Sequence, residues 1–196
     1  NLCPLIKSSY GFGKTDKCPY FYFSDLIVGE TTCDGKRKMF EMMEEFKPVH
    51  VMQLPSNPET KASYESWRSE IIHLKTVIER QFGIEISEDA IKSAIDLKNR
   101  ERSALKKFYE LGMLKPSAIS GGDLLKVLYG STFKFDRESN ITDINTLTER
   151  IKSDYTSGKK LEHKPRILIT GCPIGGVTEK VVKAIEDNGG QVVFYE

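Results

Sequence analysis

The sequence predicts an α/β fold made of two small parallel-sheet units, of the Rossmann or flavodoxin type, with a helical insertion between them. Three observations predict it. An apolar run, a Cys/Gly loop, an amphipathic segment and a second apolar run follow one another between residues 20 and 55. The same order returns between residues 166 and 196, and the stretch between carries a helical period rather than alternation. A strand, a crossover helix and a second strand in this order pair in parallel.

Each element has its own justification. Residues 20–28, YFYFSDLIV, combine aromatic and β-branched residues with no helical period and read as a buried strand. The loop GETTCDGK follows. KRKMFEMMEEF (36–46) places Met39, Phe40, Met43 and Phe46 on one helical face. VHVMQLP (49–55) is a second short strand, stopped by Pro55. The loop carrying Cys33 then lies at the carboxyl end of its strand, where open α/β sheets place their ligands.

Upstream, YGFGK (10–14) has spaced glycines and reads as a turn. Downstream, residues 59–112 are mostly helical. Tyr64, Trp67, Ile71, Leu74 and Ile78 share a stripe that ends at Gly83, and a second long helix opens with Ser87 as N-cap and closes at Gly112. Residues 116–133 form a turn and a short helix from Gly122 or Asp123, and 143–158 a further amphipathic helix. RILIT (166–170) is a strand running into the Gly/Pro turn GCPIGG, then a helix closed by Gly189–Gly190 and the strand QVVFYE. This divides the chain into part of a first α/β domain (1–58), a helical insertion and connector (59–163) and the opening of a second α/β domain (164–196).

Composition narrows the function. Of 196 residues, 39% are hydrophobic and 29% charged, as in a folded protein rather than a disordered tail. Lysine and arginine (29) nearly cancel aspartate and glutamate (28), which argues against nucleic acid or an anionic membrane as partner. No apolar run approaches the roughly 20 residues of a spanning helix. The N-terminus NLCPLIKSSYGFG has no charged segment ahead of an apolar one, so no signal peptide is expected, and the lack of a starting Met suggests a processed or truncated chain. Four cysteines without secretory features point to a reducing cytoplasm, where thiols stay free, bind metal or act chemically.

Several motifs carry little. GCPIGG (171–176) could offer backbone N–H groups to a phosphate but matches neither G-x-G-x-x-G nor G-x-x-x-x-G-K-[ST], so a tight turn is the simpler reading. His50, His73 and His163 fall in a strand, a helix and a loop with no ligand spacing between them, which favours structural roles. The pairs Glu44–Glu45, Glu88–Asp89 and Glu186–Asp187 suit helix surfaces or first turns.

The cysteines stand apart. Cys3, Cys18 and Cys33 are spaced fifteen positions apart, and Cys3, Cys18 and Cys172 each precede a proline. All four fall in loops or at strand edges rather than mid-helix on an apolar face. The spacing matches no zinc finger and no compact ferredoxin run, and leaves metal or cluster binding and free thiols equally open.

Read together, NLCPLIKSS, SDLIVGETTCDGKRKMFE, HVMQLP, ISEDAIKSAIDLKNRER and RILITGCPIGG with IEDNGGQVV closely resemble the 2-hydroxyacyl-CoA dehydratase / benzoyl-CoA reductase family, nearest to its double-cubane-cluster anaerobic reductases. The resemblance covers essentially the whole chain and corresponds to the middle of the family's longer chain. It implies a two-domain α/β fold with an iron–sulfur cluster, 4Fe–4S or a double-cubane 8Fe–9S, between the domains. It implies Cys3 and Cys33 as general ligands, Cys18 as the additional cysteine of the double-cubane branch, and Cys172 as a further candidate. It also implies an ATP-dependent iron–sulfur activator that supplies electrons, a small-molecule or 2-hydroxyacyl-CoA substrate, and a homodimer. The catalytic residues stay unassigned.

Two other readings stay open. One is a non-catalytic α/β module that binds a nucleotide or CoA moiety through 171–176; the other is a structural zinc protein. The cluster reading makes a local demand that the others do not. A strand running through all of YFYFSDLIV would separate Cys18 from Cys33 by about 30 Å. For both to serve one cluster, either the chain folds back around Ser24–Asp25 or only part of YFYFSDLIV is strand, so that YFYF does not continue the strand of DLIV.

Overall fold

Parallel pairing organises both halves of the chain. The computed structural model describes residues 3–171 and 177–196. In order these form helices α1 (Pro4–Lys14) and α2 (Pro19–Phe23), strand β1 (Ile27–Glu30), helix α3 (Asp34–Met43), strand β2 (Val49–Met52) and the long helices α4 (Lys61–Phe82) and α5 (Glu88–Tyr109). A 3₁₀ turn at Glu110–Met113 leads to α6 (Gly121–Ser131), α7 (Arg137–Thr156), β3 (Arg166–Ile169), α8 (Thr178–Asp187) and β4 (Gln191–Tyr195). Residues Asn1–Ser87 form one unit and Glu88–Glu196 another. No helix among the described residues is long and apolar enough to cross a membrane.

In the first unit β1 and β2 pair in parallel, Ile27 opposite Val49 and Glu30 opposite Met52, with α3 as the crossover. The expected strand–helix–strand unit is therefore present. Met39, Phe40 and Met43 of α3 are buried with Ile6 of α1, flanked by Tyr10, Phe21, Ile27, Phe46, Val49 and Val51. The Phe40 ring lies so close over Gly29 that a Cβ there would come within 2.4 Å of it. α4 opens on Thr60, whose side chain accepts from the Ser63 N–H, and closes on Gly83 at φ +64, the left-handed position that glycine occupies freely.

Two expectations for this unit are corrected. YGFGK is not a turn, because it forms the second half of α1. Pro4 sits in its first turn, where no amide is needed, and Gly13 is buried in contact with the Phe21 ring, 3.3 Å from where its Cβ would stand. Nor is YFYFSDLIV one strand. Residues 19–23 make the single helical turn of α2, and β1 begins only at Ile27. Pro19 fixes the first helical position, and the Cys18 sulfur accepts the Phe21 N–H. At the other end Ser24 donates to the Phe21 carbonyl, and Lys47 donates to the Ser24 carbonyl at 2.7 Å. Capping and one partly buried ring, that of Phe21, outweigh the strand propensity of four aromatics. YFYF therefore does not continue the strand that follows, as the cluster reading expects, and the break falls between Phe23 and Ile27.

In the second unit β3 and β4 also pair in parallel, with an irregularity between Ile167 and Leu168. Phe108, Leu111, Leu124 and Ile144 centre its core, joined by Ala104, Ile119 and Ile141. Gly112 and Gly121 lie where a Cβ would strike the backbone of β4, so α6 and the 3₁₀ turn approach the strand closely. Glu186 of α8 caps α6, accepting from the Gly121 N–H at 2.7 Å and the Gly122 N–H at 3.2 Å.

Candidate functional site

Cys3, Cys18 and Cys33 are free thiols, and each stands at the N-cap of a helix: Cys3 before α1, Cys18 before α2 and Cys33 before α3. Proline follows the first two at the position where a helix has no use for an amide, and its fixed φ suits that position. The Cys18 sulfur accepts from the Phe21 N–H at 3.5 Å and the Cys33 sulfur from the Lys36 N–H at 3.4 Å. The Cys18 and Cys33 sulfurs therefore face the amides of a helix start, whereas the Cys3 side chain makes no such capping bond. Cys3 and Cys33 are exposed and Cys18 is half-buried.

Packing relates two of these helix ends directly. Gly35, in the first turn of α3, approaches Ile6, in the first turn of α1, and a Cβ on Gly35 would lie 3.2 Å from the Ile6 side chain and 3.9 Å from the Cys33 sulfur. Cys3 and Cys33 thus start two helices whose opening turns touch. Cys18 is tied to α1 elsewhere, through Phe21 and Gly13, which stands ten residues, or about 15 Å of helix, beyond Cys3. It lies on the wall of a surface groove of about 570 Å³ together with Phe12, Phe21, Val28, Met39 and Phe40. Cys172 lies outside the described residues.

A second group escaped the sequence reading. His50 on β2 meets His73 on α4 edge to face, with ring centroids 4.9 Å apart and planes at 87°. Glu70, one helical turn before His73, joins them: one ligand-type atom from each of the three lies within 4.8 Å of the others. Gln53 donates its N–H to Glu70 Oε2 at 3.1 Å. Burial pushes the His50 imidazole below its ordinary value, the neighbouring His73 pushes it further down, and the Glu70 carboxylate opposes both. The histidines, read as separate structural residues, include two in ring contact. Twenty-three positions separate them in the chain, and the visible signal was Glu70-Ile71-Ile72-His73, a carboxylate and an imidazole on one helical face.

The family model for the 2-hydroxyglutaryl-CoA dehydratase D-component matches residues 1–196. YjiM of Escherichia coli (strain K12), named as a dehydratase subunit, is 64% identical over 196 residues, covering 100% of this chain and 51% of that protein. The chain spans about half the length of this curated relative.

Proposed function

The chain belongs to the 2-hydroxyglutaryl-CoA dehydratase D-component family, and on that premise we propose that it is the cluster-holding part of a dehydratase-type enzyme subunit. In this reading Cys3, Cys18 and Cys33 bind an iron–sulfur cluster, 4Fe–4S or double-cubane, with Cys172 as an additional ligand. The observation that carries the reading is the placement of three free cysteines at three helix N-caps.

The donor type fits such a group, and the joined first turns of α1 and α3 bring Cys3 and Cys33 to neighbouring helix starts, with Cys18 set apart from them. Thiolate sulfur is its usual protein ligand, and backbone N–H donors to the sulfurs tune its potential. Helix N-termini at all three positions offset the negative charge of sulfur and sulfide. When bound, a cluster of this kind supplies a low-potential electron, with which a 2-hydroxyacyl thioester can lose water or a small molecule can be reduced.

The chain's own residues do the positioning. Pro19 holds Cys18 in the extended conformation that precedes a helix, and Pro4 fixes the first residue of α1 after Cys3. The Phe21 and Lys36 amides aim at sulfur. Ile6 against Gly35 keeps the first turns of α1 and α3 together. An ATP-hydrolysing iron–sulfur activator as electron donor, a second copy of the chain and a reducing cytoplasm complete the proposal.

Iron and acid-labile sulfide analysis of the full subunit after anaerobic purification tests it. Both should be present and should fall sharply in Cys33→Ala. Purified protein lacking both elements, or undiminished content in Cys33→Ala, would overturn it.

A further inference from the structure

His50, Glu70 and His73 share no residue with the cysteine arrangement. We infer that they form a separate site for a divalent first-row transition metal, zinc or ferrous iron by its chemistry. Two imidazoles and one carboxylate would be the protein ligands, with water completing the shell.

Four observations carry the inference. First, His50 is 9% exposed, and its enclosed Nε2 has no hydrogen-bond partner. Buried polar atoms are nearly always paired, and one that is not calls for a missing partner. Second, the ligand-type atoms of the three side chains lie within 4.8 Å of one another. Ligands of one tetrahedral metal stand roughly 3–4 Å apart, so closure needs only a small turn of His73, the exposed member.

Third, the imidazole centroids are 4.9 Å apart. Two imidazoles bound through nitrogen to one tetrahedral ion have centroids about 5 Å apart, so the rings already stand at the required separation. Fourth, the carboxylate is held from behind. The Gln53 N–H on Glu70 Oε2 orients the side chain, the kind of supporting contact that metal ligands receive. Glu70 and His73 also have the Glu-x-x-His spacing by which one helix turn presents a carboxylate and an imidazole to a shared ion.

Charge agrees with this assignment. Two neutral imidazoles and one carboxylate offset half of a divalent charge and leave a cationic centre able to hold water. The ion would tie β2 to α4.

Cobalt(II) and zinc binding to the full chain test the inference, with thiols blocked by iodoacetamide so that the cysteines cannot contribute. The alkylated protein should take up one equivalent of cobalt with visible ligand-field bands and no sulfur-to-metal charge-transfer band. His73→Ala and Glu70→Gln should each weaken binding at least about tenfold. Should alkylation unfold the chain, the unmodified protein should bind one equivalent of zinc more than folded His73→Ala. Absence of cobalt binding in folded alkylated protein, or binding unchanged in His73→Ala, would overturn the site. Loss of cluster in the cysteine variants would leave either outcome intact, so the two proposals fail separately.

Discussion

The Cys33 sulfur accepts the Lys36 amide at 3.4 Å, so this side chain is a helix cap as well as a candidate ligand. The two roles respond oppositely to serine. An oxygen is the better cap, so in metal-free protein Cys33→Ser should leave α3 as stable or strengthen it by roughly 0.5 kcal/mol. The same change should lower iron retention. Urea unfolding of the metal-free chain, set beside iron analysis of the anaerobic protein, separates the roles. A Cys33→Ser chain that is less stable and equally iron-rich would make Cys33 a cap alone.

Gly29 has no room for a side chain. Its missing Cβ would stand 2.4 Å from the Phe40 ring, so Gly29→Ala should push Phe40 out of its packed position at a cost of about 2–3 kcal/mol. Gly29→Ala/Phe40→Leu, which frees volume at the same point, should recover part of that loss. Denaturant midpoints of the three proteins check this. A double variant no better than Gly29→Ala would place the strain elsewhere.

The β1–α3–β2 unit was legible because its signals agree: Met39, Phe40 and Met43 recur at helical spacing, and a short β-branched strand lies on either side. Gly83 likewise marked the end of α4. α1 and α2 were hidden because the aromatic and glycine composition of residues 10–23 argues for strand and turn, whereas the controlling feature is the Cys-Pro pair. Read as N-cap followed by a fixed first helical residue, Cys3-Pro4 and Cys18-Pro19 announce helices. The candidate cysteines could be singled out by residue type. The joining of two opening turns through Ile6 and Gly35 is tertiary and left no local trace, and of the His50–His73 meeting only the Glu70/His73 spacing on α4 was visible.

Glu186 ties α8 to the start of α6. Its two oxygens accept the Gly121 and Gly122 amides, and Gln191 donates to Oε1 at 3.0 Å. Glu186→Ala would leave two helix-initiating amides without their side-chain acceptor and should cost roughly 1–2 kcal/mol. Thermal unfolding should show a lower midpoint. Glu186→Gln, which keeps an acceptor, should lose less. Equal losses in the two variants would mean that charge, rather than the hydrogen bonds, makes the contribution.

Glu101 is a buried carboxylate of the second unit whose stabilising contribution depends on pH. Its side chain is almost wholly buried in α5 and sits among Lys98, Arg137 at 3.0 Å and Asn140 at 3.1 Å. Burial alone would raise its titration, but hydrogen bonds from Lys98 and Asn140 and the charges of Lys98 and Arg137 outweigh it and hold the carboxyl below its ordinary value. A depressed carboxylate contributes stability above the unfolded-state value, about 4.3, and loses it as pH falls through the lower folded value. Glu101→Gln should therefore cost about 2 kcal/mol at neutral pH, because Lys98 and Arg137, both partly exposed, lose a charged hydrogen-bond partner. The loss should shrink on acidification, since the wild type then gives up the same interaction. Urea unfolding at neutral pH and near pH 3 measures both quantities, and a penalty that stays constant with pH would show that the ion pairs are not what Glu101 supplies.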